Sequence, residues 1–137
     1  MPQFVESRRH NHARLLSVLS DSEDKIILPV ALEGSEPSWF GFLITCKDGV
    51  DRNKVVNYLE GKGVQTRALF AGNLIKHPCF DIMREKGEGY RVVGDLKNTD
   101  TVMNRTFWVG VYPGMTDAVI DYIGTMIKCA IWPSSSE

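Results

Sequence analysis

Five side chains in this sequence have the type and setting for binding chemistry: Trp39, Arg67, Asn73, His77 and Arg105. Arg67 lies between Thr66 and Ala68 in an otherwise apolar stretch. A guanidinium there suits bidentate contact with phosphate or carboxylate, although an outward arginine paired with a surface acid is the ordinary alternative. Arg105 immediately precedes Thr106-Phe107-Trp108, where its charge complements the dipole at the end of a preceding helix. Asn73 follows Gly72 and offers amide donors and an acceptor to sugar hydroxyls or a carbonyl, or closes an Asx turn. His77 stands before Pro78, as a cleft residue or a turn residue. Trp39, with Phe40, can stack on a base or sugar ring or belong to the core, and Trp108 and Tyr112 carry the same two readings.

These residues need elements to position them. The periodicity predicts a helix from Phe4 to about Leu19, with Pro2 suited to its start and Phe4, Leu15, Leu16 and Leu19 sharing a face with His12. A looser stretch through Leu28-Pro29 to Pro37 leads into a strand from Trp39 to Cys46, apolar in both alternating sets and therefore expected to be covered on both faces. Asp51 reads as the cap of a helix carrying Val55, Val56 and Leu59, with Val50 and Val55 placed as a staple. A second strand, Val64 to Phe70, runs into the turn Ala71-Gly72-Asn73. His77-Pro78 opens a short helix through Arg84, and Asn98 or Thr99 caps another through Asn104. The third strand is Thr106 to Tyr112. Thr116 caps a last helix with Val119, Ile120, Ile123, Met126, Ile127 and Ala130 on one face. Ser134-Ser135-Ser136 reads as a disordered tail.

The expected architecture is α+β: a three-stranded sheet with helices packed on one face. A ferredoxin-like β-α-β-β-α-β order also fits if a short strand forms at Tyr90 to Val93. At 137 residues the chain has room for one core. Sixteen basic and seventeen acidic residues leave a formal charge of −1, with no basic block longer than Arg8-Arg9-His10, which disfavours a nucleic-acid partner. No apolar run approaches the roughly 20 residues that span a bilayer. Cys46, Cys79 and Cys129 are odd in number and widely spaced. They fit a reducing cytoplasm better than a disulfide framework, and read first as small buried hydrophobes.

Three segments carry a family resemblance. These are T-R-A-L-F-A-G-N-L from Thr66 to Leu74, T-F-W-V-G-V-Y-P-G from Thr106 to Gly114, and S-E-P-S-W-F-G-F from Ser35 to Phe42. Together they resemble the C-terminal domain of the sugar-modifying, DegT/DnrJ/EryC1/StrS-type branch of the fold-type-I pyridoxal-phosphate superfamily. The likeness runs from about Pro2 to Ile131 and is greatest to the CDP-4-keto-6-deoxyglucose 3-dehydratase type of lipopolysaccharide biosynthesis. It implies the small C-terminal domain of aminotransferase-like enzymes, with residues 1–22 as the end of a connector helix from a large domain, 23–132 as the small domain and 133–137 as a tail. It also implies that Arg67, Asn73, Arg105, His77 and Trp39 form part of a substrate wall.

The same resemblance implies a parent protein that uses pyridoxamine or pyridoxal phosphate, acts on a nucleotide-hexulose, forms a homodimer and takes electrons from an iron–sulfur flavin reductase. Some members of the branch hold a two-iron two-sulfur cluster on four cysteines. The wide spacing here places any such ligands upstream. The cofactor-anchoring groups are expected in the large domain, so this chain by itself is expected to bind no cofactor and to be inactive. A nucleotide-sugar aminotransferase shares the domain, but usually shows an aromatic-x-P-L-H pattern where this sequence has Leu69-Phe70-Ala71-Gly72-Asn73-Leu74. A stand-alone ferredoxin-like ligand-binding or dimerisation module is the third reading.

Overall fold

A computed structural model describes residues 2–132; the serine-rich tail lies outside them. The first helix, α1 (Pro2–Leu19), buries Asn11, His12, Leu15 and Leu19, a spacing that puts all four on one stripe. Phe4, expected on that stripe, is 59% exposed at the first turn. Strand β1 (Ile26–Ile27) follows, then β2 (Gly41–Cys46), α2 (Arg52–Gly61) and β3 (Thr66–Ala68). Next come α3 (Asp81–Lys86), α4 (Lys97–Arg105), β4 (Thr106–Gly110) and α5 (Asp117–Ile131).

The sheet has four strands rather than three, in the order β1-β2-β4-β3, and every neighbouring pair is antiparallel. The added strand is β1, in which Ile26 pairs with Cys46 and Ile27 with Thr45. Because β2 and β3 both run against β4, they are parallel to each other. The unit β2-α2-β3 is thus a split β-α-β with β4 inserted. The fourth strand does not form at Tyr90–Val93. Gly89, at φ +83°, turns that segment so that Tyr90 lines a hollow with Leu74, Phe80 and Met83.

Helices α1, α2 and α5 cover one face. Phe42, Ile44, Phe107 and Val109 from the sheet pack with Leu15, Leu19, Val55, Leu59, Ile120 and Ile127 in a single buried cluster. The opposite face is not covered by helices, contrary to the expectation for β2. Its Leu43 and Thr45 are only half-buried, and Ile27 is 53% exposed. The absent side chain at Gly124 lets α1 and α5 approach so closely that a Cβ there would collide with Val18. Arg14 joins them with a two-pronged contact to Asp121, at 2.8 and 2.7 Å.

Local chemistry sets the helix ends. Asp51 Oδ1 accepts from the amides of Asn53 and Lys54, and Thr116 accepts from that of Val119. Helix α4 begins at Lys97, before the expected cap at Asn98 or Thr99, because Asp95 Oδ1 accepts from the Lys97 amide. Strand β3 ends at Ala68, short of the expected Phe70. Phe70 turns left-handed at φ +46°, which ends the extended run.

Candidate functional site

The open face of the sheet is built by register. Leu43, Trp108 and Arg67 lie side by side across β2, β4 and β3. Side chains alternate along each strand, so all three point away from the helices. Trp108 lies over Gly41, where a Cβ would come within 2.7 Å of its ring. Phe40 meets the same ring edge-on at 5.4 Å. Trp39, Phe40, Leu43, Leu69, Phe70 and Trp108 line an apolar hollow of about 160 Å³. Phe70 is 80% exposed and is held there by a backbone conformation unfavourable for a bulky residue.

At the free edge of β3, a groove of about 350 Å³ runs between the sheet and α5, lined by Arg67, Trp108 and Tyr112 together with Val109 of the core and Val119 and Tyr122 of α5. Arg67 is exposed and Nη1 donates to its neighbour's carbonyl, Thr66 O, at 3.0 Å. The Gln65 amide, in the orientation that satisfies both its ends, accepts from Nη1 and Nη2 of Arg67 at 3.1 and 3.0 Å. Glu60 is nearby, but its carboxylate accepts from the Thr66 amide and hydroxyl at 2.6 and 2.7 Å. Those two bonds hold the Glu60 pKa below the usual carboxylate range, with Arg67 adding a smaller pull.

The remaining candidates lie elsewhere. Asn73 is only 2% exposed, and its Nδ2 donates to Asp100 Oδ1 at 2.8 Å rather than closing a local turn. Asp100 also accepts from Lys76 Nζ at 2.8 Å. Its pKa is lowered by these bonds, the one to Lys76 first. Gly72, at φ +61°, lies tight against Met103, so the Ala71–His77 turn is clamped on α4. His77 is half-buried and turned inward, its Nε2 donating to Ala71 O at 2.5 Å. Arg105, at the end of α4, pairs with the highly exposed Asp48. Trp39 stands against His12 with ring centroids 4.6 Å apart. The five candidates therefore occupy separate positions. Arg67 and Trp39 flank Trp108 on the open side, Asn73 and His77 shape one turn, and Arg105 makes a surface ion pair.

Two residues lacked a readable role in the sequence. Asp100 holds a turn 27 residues away, with no local signal for that partnership. His12, read only as part of a helix face, is 8% exposed between Trp39 and Phe42. Its Nε2 has no hydrogen-bond partner, and burial lowers its pKa below 6.5. Of the cysteines, Cys46 is buried and its thiol is pushed up to about 11, whereas Cys79 and Cys129 are exposed rather than core. Among the described residues no cluster of three or more His, Cys, Asp or Glu side chains could hold a metal. No described helix is long and apolar enough to cross a membrane.

This chain is similar to known proteins in sequence and in fold. The lipopolysaccharide biosynthesis protein RfbH of Salmonella typhimurium is 47% identical over 123 residues, 88% of this chain and 27% of that protein. The dTDP-4-dehydro-2,6-dideoxy-D-glucose 3-dehydratase of Saccharopolyspora spinosa is 48% identical over 122 residues, 88% of this chain and 25% of that enzyme. The structure of the E. coli GDP-4-keto-6-deoxy-D-mannose-3-dehydratase with bound hydrated PLP superposes with a TM-score of 0.76 at 27% identity. That match covers 92% of this chain and 31% of the E. coli chain. This chain thus spans only about a quarter to a third of the length of these relatives.

The residues present do not by themselves compose a pyridoxal-phosphate site. A phosphate cup is commonly built from free amides at a helix N-terminus. Here Asp51 and Thr116 already engage those of α2 and α5. What the chain does supply is an aromatic and cationic wall on an uncovered sheet face. The model of the DegT/DnrJ/EryC1/StrS aminotransferase family matches residues 1–128, and the chain belongs to that family.

Proposed function

We propose that this chain is the C-terminal small domain of a pyridoxal- or pyridoxamine-phosphate-dependent nucleotide-hexulose 3-dehydratase, serving the synthesis of dideoxysugars for lipopolysaccharide O-antigen. One observation carries the reading. The two relatives whose names state an activity are both 3-dehydratases of nucleotide-linked 4-keto sugars, and they align over most of this chain. The 47% identity to a lipopolysaccharide biosynthesis protein supports the pathway. The cofactor and the groups that move protons belong to the rest of the parent protein, so the isolated chain has no turnover.

In this reading the domain binds and orients substrate. Arg67 offers a planar, permanently charged fork to an anionic group, and Trp39 and Trp108 offer aromatic faces. Asn73 and His77 act through the turn that they stabilise, and Arg105 lies at its rim. The parent works as a homodimer on a substrate of the CDP-4-keto-6-deoxyglucose type, with electrons from an iron–sulfur flavin reductase.

The test is the product made by the full-length protein from a nucleotide-linked 4-keto-6-deoxyhexose, with pyridoxamine phosphate and a reductant supplied. Mass spectrometry and NMR should show a sugar that has lost its C3 hydroxyl. An amino group in place of the ketone would identify a sugar aminotransferase instead.

A further inference from the structure

Among the described residues two that are not glycine have positive φ, Phe70 at +46° and Leu96 at +53°. Leu96 is half-buried, so part of its side chain is covered by the fold. Phe70 carries the bulkier side chain and is 80% exposed, so this chain gains little burial from holding it there. A left-handed backbone at an aromatic residue is strained. Such strain persists where the surroundings over-determine it, and it concentrates at sites that bind or switch.

The surroundings of Phe70 do over-determine it. Its amide donates to Ala68 O at 2.9 Å, which closes the chain tightly just after β3. On the other side Gly72 lies against Met103, Asn73 and Lys76 both donate to Asp100, and His77 Nε2 donates to Ala71 O. The ring is thus presented to solvent by a turn fixed at both ends. The surface beside it is apolar and continuous. Phe70 lines the hollow of about 160 Å³ with Trp39, Phe40 and Leu43. A second hollow of about 280 Å³ shares Trp39 and Leu43 and runs on to Ile27 and Val30. No charged side chain lines either one, and Phe40, Ile27 and Val30 are exposed as well.

From this arrangement we infer that Phe70 is a preformed anchor, which docks this chain into an apolar socket on the remainder of the parent polypeptide. The inference rests on the reading of this chain as one domain of a longer protein, and not on the dehydratase chemistry. Aromatic residues that fill a pocket on the partner carry much of the energy of an interface. An anchor already held in place loses less freedom on docking, which gives the strain at Phe70 a use. Two observations select this occupant. The aligned relatives extend far beyond the part that this chain matches, 25% to 31% of their length. The strip of Leu43 and Trp39 also lies beside Trp108 and Arg67 on the uncovered sheet face, which in that reading looks toward the rest of the protein. An uncharged apolar strip of this extent is the kind of surface that a partner covers.

The experiment compares this chain with the full-length protein by hydrogen exchange and thermal unfolding, each as wild type, Phe70→Ala and Phe70→Gly. Amides from Leu69 to Asn73 and from Phe40 to Leu43 should exchange at least about tenfold more slowly in the full-length protein than in this chain alone. Phe70→Ala should restore about ten- to a hundredfold of that exchange in the full-length protein. In this chain alone the same change should leave the thermal midpoint nearly unchanged. Phe70→Gly separates strain from contact. Glycine adopts φ +46° without steric conflict, so it should raise the midpoint of this chain while loosening the full-length protein as alanine does.

Equal exchange at these amides in the chain and in the full-length protein overturns the inference. So does wild-type protection in a folded full-length Phe70→Ala protein. Protection that disappears when the full-length protein is diluted to monomer assigns the strip to a second copy, and overturns the inference as well. The two readings fail separately. A full-length protein that makes a 3-deoxy sugar while Leu69 to Asn73 exchange freely retains the dehydratase reading and loses the anchor. Protection that depends on Phe70, in a protein that makes an amino sugar, retains the anchor and loses the dehydratase.

Discussion

At the scale of single residues, His12 sets a pH dependence that the surface does not. Its imidazole is buried between Trp39 and Phe42, and the desolvation lowers its pKa from 6.5. The unfolded chain therefore binds this proton more readily than the folded one. The His12 contribution to stability is complete above about pH 6.5 and falls as the pH drops below that value. The carboxylates held below their usual range, Asp21, Glu60, Asp100 and Asp121, act in a separate window. Their ordinary values are 3.8 for aspartate and 4.5 for glutamate, so what they add is lost only as the pH falls below those values. Urea unfolding at pH 7.5 and 5.5 should show a lower midpoint at the acidic value. Substitution His12→Phe should remove most of that difference, and an equal drop in the variant would mean that other groups cause it.

At the scale of elements, what was readable from sequence was what is decided locally. Asp51 caps α2 through amides two and three residues on, and Thr116 caps α5 through an amide three residues on. Such short-range geometry is visible in the order of residue types. Asp51→Ala should cost about 1 kcal/mol, measured by denaturant unfolding; no change would mean that α2 is held by packing alone. Strand β1 was not readable, because two residues become a strand only by meeting Thr45 and Cys46. The clamp on the Ala71–His77 turn is non-local in the same way, depending on Asp100. Asp100→Ala should therefore speed hydrogen exchange at the amides of Lys76 and His77 while the amides of β2 and β4 keep their protection. Unchanged exchange in the turn would assign its order to Gly72 and Met103 instead.

At the scale of the whole molecule, the apolar residues in both alternating sets of β2 mark a strand and predict cover on both faces, yet helices cover only one. Phe42 and Ile44 are buried under helices, whereas Leu43 looks onto the uncovered side beside Trp108 and Arg67. Apolarity on that face suits a ligand or a neighbouring part of a longer protein as well as a core, and composition does not separate these uses. Chemical type likewise does not reveal that Asn73 points inward to Asp100 or that Arg105 meets Asp48, because both partners are remote in sequence. In the proposed function the open face forms the substrate wall of a sugar 3-dehydratase. Its most direct test is kcat/KM for 3-deoxygenation by the full-length protein carrying Arg67→Ala, with Arg105→Ala as a second variant. The expected result is a loss of about ten- to a hundredfold at Arg67, only partly restored by lysine, and a smaller loss at Arg105. Thermal midpoints should stay close to the parent's. Wild-type kinetics in a folded Arg67→Ala enzyme would contradict a substrate role for the open face and leave that arginine a solvated surface residue.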